Sequence, residues 1–293
     1  MSTQNINNLV ELFFINYKKQ KKDNILLTSL KDNRNYFTWE KTFHSIKKLS
    51  SEIKKYVNKG DRCLLISENR PEWFITDLSV MLSEAITVPA YTTYAEKDYE
   101  YIIENCNPKL IFVSNQEQFN KVKEIIKKKS FVTKIFSFEQ LDIDSESYIN
   151  VNKLFFNLDY QDLKIPDLSI KRKDPACIIY TSGTQGNPKG VILSHGGILN
   201  NCDGALDILK PLLTDQTRFL TWLPLSHSYE HTVQFVQISV GAKIFYAESI
   251  EKLIKNMNDC KPQLMTAVPR FYQNLFQKIN ASFNKATGLK KSL

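Results

Sequence analysis

The sequence predicts an α/β protein built around a largely parallel sheet, and three observations predict it. Short runs rich in β-branched and aromatic residues alternate with amphipathic segments of helical spacing, which is the rhythm of strand-helix-strand units. A hydrophobic fraction of 42% and an aromatic fraction of 12% over 293 residues are enough for a substantial core. No internal repeat of fixed period is present, so solenoid and propeller architectures are not indicated.

Taken in order, the chain opens with a segment of helical apolar spacing that runs into Lys18, Lys19, Lys21 and Lys22. RCLLIS (62–67) reads as a buried strand, and NRPEWFITDLSVMLSEA (69–85) as a helix with Pro71 near its first position, where a missing N–H costs nothing. ITVPAY is the next strand, EKDYEYIIENC a helix, KLIFVS a strand and QEQFNKVKEIIKKK a helix. Residues 137–175 break the rhythm. The polar stretches FEQLDIDSESYIN and LDYQDLKIPDLSIKRKDP read as an irregular connection leading to a subdomain junction. Alternation returns with ACIIYTS, a helix within 196–210, RFLTWLP, a helix from about Ser226, AKIFYA, SIEKLIKNMNDC, QLMTAVP and a last helix from about Pro269. The final KINASFNKATGLKKSL lacks a recognisable closing element, so the chain is expected to stop early in its fold.

A formal net charge of +8 fits a phosphate-bearing partner, a membrane surface or a solvated basic face. The Lys18–Lys22 and Lys127–Lys129 runs each follow a helical segment, where lysines suit the negative end of the helix dipole. No interleaved basic and aromatic pattern, helix-turn-helix or zinc-finger spacing points to nucleic acid. Cys63, Cys106, Cys177, Cys202 and Cys260 are dispersed and odd in number, which argues against a disulfide framework or zinc knuckle. The start lacks the pattern of a signal peptide, and no run approaches the ~20 apolar residues of a membrane span. A cytoplasmic setting is expected, with peripheral membrane association left open.

IIYTSGTQGNPKGVILSHGG (178–197) carries the strongest chemical signal. A β-type run precedes a loop whose hydroxyls, glycines and single lysine suit the cradling of phosphate oxygens. Thr181, Ser182 and Thr184 supply donors, Gly183 and Gly186 permit close backbone approach, and Lys189 brings a mobile positive charge. The spacing fails the Walker loop, because Pro188 stands where its second glycine belongs, and it fails GxGxxG as well. Composition alone leaves an ordinary surface loop equally open.

The same residues closely resemble the signature loop of the AMP-forming adenylating superfamily, Tyr-Thr-Ser-Gly-Thr-Thr-Gly-x-Pro-Lys-Gly, with Gln185 standing where Thr is usual. WLPLSHSYEH (222–231) resembles that superfamily's Leu-Pro-x-x-His segment. NRPEW, VPAYTTY and AVPRFYQNL resemble its long-chain fatty acyl-CoA synthetase branch, and the likeness runs from about residue 36 to 284. The resemblance implies stacked, largely parallel β/α sheets and the N-terminal part of an adenylation domain, spanning 1–293 and ending before a small C-terminal domain. It implies attack of a fatty acid carboxylate on ATP, with Mg²⁺, to give an acyl-adenylate, then displacement of AMP by coenzyme A. By similarity Thr181, Ser182, Gly183, Thr184, Gln185, Gly186 and Lys189 hold the β- and γ-phosphates, and His227 is the catalytic group where carboxylate and α-phosphate meet. Gln185 keeps an amide donor in place of a hydroxyl. Glu230 either supports His227 or is structural, and no residue is assigned as a metal ligand.

The family's downstream Tyr-Gly-x-Thr-Glu, Thr-Gly-Asp and late Lys are not found in this sequence, so a non-catalytic nucleotide- or acyl-binding fragment is the alternative. HSYEH also fits the H-x-x-E-H pattern of inverted zinc peptidases, with His227 and His231 as ligands and Glu248 or Glu251 as a third. His44 and His195 are expected to be packing or surface residues, and Trp73 and Trp222 core. Tyr91 and Tyr94 either border an acyl tunnel or belong to the core.

Overall fold

The structure, a computed structural model, describes residues 3–31, 35–144, 146–162, 164–181, 188–214 and 216–285. In chain order the elements are α1 (Leu9–Lys19), β1 (Ile25–Ser29), β2 (Tyr36–Thr38), α2 (Trp39–Ile53), β3 (Arg62–Ile66), α3 (Pro71–Leu82), β4 (Ile86–Ala90), α4 (Glu96–Cys106), β5 (Leu110–Val113) and α5 (Gln116–Ile126). They continue with β6 (Lys134–Ser137), β7 (Tyr148–Asn150), α6 (Val151–Leu154), β8 (Pro175–Thr181), β9 (Lys189–Ser194) and α7 (His195–Leu209). After a 3₁₀ turn (Lys210–Leu212) come β10 (Arg218–Thr221), α8 (Ser228–Ser239), β11 (Lys243–Tyr246), α9 (Leu253–Cys260), β12 (Leu264–Met265) and α10 (Pro269–Lys285).

Among the described residues the strands form two sheets. The larger has seven strands in the order β7-β6-β5-β3-β4-β8-β9, parallel apart from the β8/β9 hairpin. The smaller has five in the order β12-β10-β11-β1-β2, parallel apart from β1/β2. Alternation along β3 shows how the layers are built. Cys63 and Leu65 face a core shared with Leu27 and Ile244 of the smaller sheet, while Leu64 and Ile66 face Ile102, Ile103 and Val122 of α4 and α5. α9 covers part of the smaller sheet's other face, with Leu253 and Cys260 against Leu220.

Helix α3 lies between the layers, and its sequence says why. All twelve of its residues are buried, so it has no solvent face to keep polar. Pro71 occupies its first turn as expected from sequence. α8 buries Glu230, His231 and the run Gln234–Ser239, and Gly241, at φ +69°, follows its C-cap in the left-handed region that a helix stop favours.

Residues 137–175 are more ordered than their composition suggests. Tyr148–Asn150 adds β7 to the sheet edge, with Phe136 paired to Ile149, and Asn150 then caps the short α6. The lysine runs sit at helix ends: Lys18 and Lys19 fill the last turn of α1, and Lys129 pairs with Glu104 at 2.6 Å. All five cysteines are free and buried. Among the described residues no helix is long and apolar enough to cross a membrane.

Candidate active site

The two motifs occupy comparable positions, each following the carboxyl end of a strand. β8 ends at Thr181 and β9 begins at Lys189, and the antiparallel register sets these two residues directly opposite each other at the mouth of the hairpin. Ser182, Gly183, Thr184, Gln185 and Gly186 lie outside the described residues. Gly190 follows Lys189 where a Cβ would be tight, standing 3.0 Å from Ile178 and 3.2 Å from the Tyr180 ring.

The second motif runs from β10 into α8. Asn69, just before α3, holds it from the side: its Nδ2 donates to the Leu223 carbonyl at 2.7 Å and its Oδ1 accepts from the Leu225 N–H at 3.0 Å. The His227 N–H donates to the Pro224 carbonyl at 3.0 Å and closes the turn. His227 is then the N-cap of α8, its Nδ1 accepting from the Tyr229 N–H at 3.2 Å. That bond places the proton of the neutral ring on Nε2, leaving Nε2–H as the ring's remaining donor on an exposed side chain.

Glu230 and His231 turn the other way. Glu230 is buried and its Oε2 accepts from Thr266 Oγ1 at 2.5 Å; burial pushes its carboxyl up to about 7 against the pull of the Thr266 and Thr221 hydroxyls. His231 Nε2 lies 2.7 Å from Asp77 Oδ2, both side chains fully buried, with Trp73 edge-on at 5.3 Å. Burial lowers the affinity of this imidazole for a proton, but the Asp77 carboxylate and the adjoining Cys177 thiol outweigh it and raise its pKa above the usual histidine range. The inverted zinc peptidase reading therefore fails on geometry. His231 spends its Nε2 on Asp77 in the core, His227 is at the surface, and the described residues hold no cluster of three His, Cys, Asp or Glu side chains able to bind a metal.

A cavity of about 750 Å³ opens beside the second motif. Ser29, Ser67, Tyr91, Trp222 and Ala247 line it, and each stands at or directly after the carboxyl end of β1, β3, β4, β10 or β11. Ligands of open α/β sheets bind at strand carboxyl ends, so both sheets direct this space toward a ligand. Tyr91 thus borders the cavity, and Trp222, expected in the core, is half-buried at its wall with Nε1 donating to the Thr266 carbonyl at 2.6 Å. Trp73 is core as expected, and Tyr94 packs edge-on against Tyr91 and Tyr99. His44 and His195 are buried: His44 packs beside Phe43 and Tyr160, and His195 Nδ1 accepts from the Leu9 N–H at 3.3 Å.

Sequence reasoning passed over Asn69 and Asp77. Asn69 stood in a motif read only for resemblance and as a helix start. Asp77, an acid in the middle of a largely apolar helix, was the available signal that a buried partner existed.

The chain is 29% identical over 271 residues to long chain acyl-CoA synthetase 3 of Arabidopsis thaliana, covering 87% of this chain and 40% of that protein. It is 27% identical over 256 residues to fatty acyl-CoA synthetase A of Dictyostelium discoideum, covering 83% and 37% respectively. Among solved structures, the luciferase-like enzyme of the mealworm Zophobas morio shares the fold, with a TM-score of 0.75 at 18% identity over 91% of this chain and 60% of that one. The chain spans about 40% of the length of the curated relatives it matches. A match over residues 14–293 to the family described as AMP-binding enzyme takes in nearly all of the sequence, and the chain belongs to that family.

Proposed function

We propose that this chain supplies the ATP phosphate site and part of the acyl site of a long-chain fatty acid-CoA ligase. In that reaction a carboxylate oxygen attacks the α-phosphorus of Mg²⁺-bound ATP, pyrophosphate leaves, and the thiol of coenzyme A then displaces AMP from the acyl-adenylate. The observation that carries the reading is His227: its capping bond to Tyr229 commits Nδ1 and leaves Nε2–H as a donor on an exposed side chain next in sequence to Ser226, which lines the cavity. Thr181 and Lys189, opposed across the hairpin, bracket the loop that would take the β- and γ-phosphates, with Lys189 neutralising charge as two anions approach. Glu230, bonded to Thr266 in the interior, supports the first turn of α8 and does not touch substrate. On this reading 1–293 is part of an adenylating domain, and 137–175 joins its strands at the edge of the larger sheet.

The test is pyrophosphate release by the chain with ATP, Mg²⁺ and a long-chain fatty acid, repeated for His227→Ala. Release that depends on fatty acid, and falls about 100-fold or more in the variant, is expected from removing a donor aimed at developing charge. The span of about 40% of the relatives favours one second reading, a nucleotide-binding fragment without turnover. It predicts a melting temperature raised by ATP with no release. Neither release nor an ATP shift would overturn both.

A further inference from the structure

We propose that Asn69 and Asp77 are positioning residues for His227, gripping the segment that carries it from both sides. The inference rests on the ligase reading only for the use to which His227 is put. Asn69 fixes the two peptides that precede it: one amide group donates to Leu223 at 2.7 Å and accepts from Leu225 at 3.0 Å, so rotation of either peptide breaks a bond. On the far side the His231 N–H donates to the His227 carbonyl at 3.0 Å, and the His231 ring is held by Asp77 at 2.7 Å. The anchors lie just before α3 and within it, and that helix is buried along its whole length. A platform so enclosed cannot shift without disturbing the core, so it transmits a fixed position to the N-cap of α8.

Asn69 gives the cleaner test, because it is only half-buried at the cavity wall, whereas Asp77 variants risk unfolding. Asn69→Asp keeps the acceptor for Leu225 and sets an oxygen against the Leu223 carbonyl; Asn69→Ala removes both bonds. Two readouts are taken on the full chain: pyrophosphate release with ATP and a long-chain fatty acid, and ¹⁵N spectra of the imidazoles, of which the chain has four. In Asn69→Asp, kcat should fall about 10- to 100-fold while the apparent KM for ATP stays within about two-fold, the signature of a misplaced group with binding intact. The His227 ring should also lose its single-tautomer pattern, with Asn69→Ala giving a smaller change of the same kind. An unchanged His227 ring in both variants overturns the proposal, as does a fall in kcat matched by a rise in KM and a lowered melting temperature, which marks general loosening. If the unmodified chain releases no pyrophosphate, the ligase reading has failed in that respect. The ring spectra then decide the positioning claim alone, a changed pattern in Asn69→Asp upholding it and an unchanged one overturning it.

Discussion

Two histidines one helical turn apart divide α8 into regions of opposite character. His227 caps the helix at the surface, with its Nδ1 accepting from the Tyr229 N–H; His231 is fully buried against Asp77 and Trp73. The two residues have the same side chain and lie four positions apart, yet one stays at the surface, next in sequence to Ser226 of the cavity lining, and the other belongs to the core. A helix end that crosses from solvent into a core within its first turn makes this division unavoidable. Spacing on a helix therefore does not by itself establish a shared ligand.

The largest effect should come from breaking the buried half. His231→Ala leaves the Asp77 carboxylate in the core without its partner, and a loss of about 3 to 5 kcal/mol in unfolding free energy is expected by denaturant titration. Removing both partners in Asp77→Ala/His231→Ala should cost less than the sum of the single losses, because no lone charge remains buried. The pH dependence has a definite sign. The folded pKa of His231 is raised from 6.5 to about 10, so its contribution is complete below about pH 6.5 and disappears as pH rises through about 10. Equal stability of the His231→Ala chain and the unmodified one at pH 6 would erase the contrast between the two histidines.

The same contrast explains what was legible in the sequence. β3, β4, β5, α3, α4 and α5 follow one another along the chain and pair or pack with near neighbours, so local pattern was enough. β1 was not legible, because its nearby partner β2 is only three residues long and its other partner, β11, lies far along the chain. β7 was hidden for a related reason: an edge strand of three residues carries too little pattern to register. At the candidate site, the motifs pointed to His227, Thr181 and Lys189 as residues to propose. The burial of Glu230 and His231, one against Thr266 and the other against Asp77, depends on which side of α8 meets the core, and no single segment encodes that.

A smaller effect should appear at Glu230, which shares the interior with His231 but lacks a charged partner in its contacts with Thr266 and Thr221. Its carboxyl, raised from 4.5 to about 7 by burial, favours the folded state most when protonated. That contribution is complete below about pH 4.5 and is lost as pH rises through about 7. Glu230→Gln keeps an oxygen to accept from Thr266 and removes the charge. It should be about 3 kcal/mol more stable than the unmodified chain at pH 8 and nearly equal to it at pH 4. A variant less stable at both pH values would mean that the carboxylate has a partner which Gln cannot replace.

The smallest stability change belongs to the exposed half, and it separates architecture from chemistry at His227 itself. The capping bond to Tyr229 needs only a side-chain acceptor, and Asn is among the best N-cap residues while Ala is among the poorest. His227→Ala should therefore lose about 1 kcal/mol, and His227→Asn should stay within about 0.5 kcal/mol of the unmodified chain. Fatty acid-dependent pyrophosphate release should fall in both variants alike, since neither restores an imidazole N–H at the Nε2 position. If His227→Asn keeps its turnover along with its stability, the residue is a cap and nothing more. The surface half of α8 would then be architecture like the buried half, and the donor to the reacting phosphate would have to be sought elsewhere along the cavity.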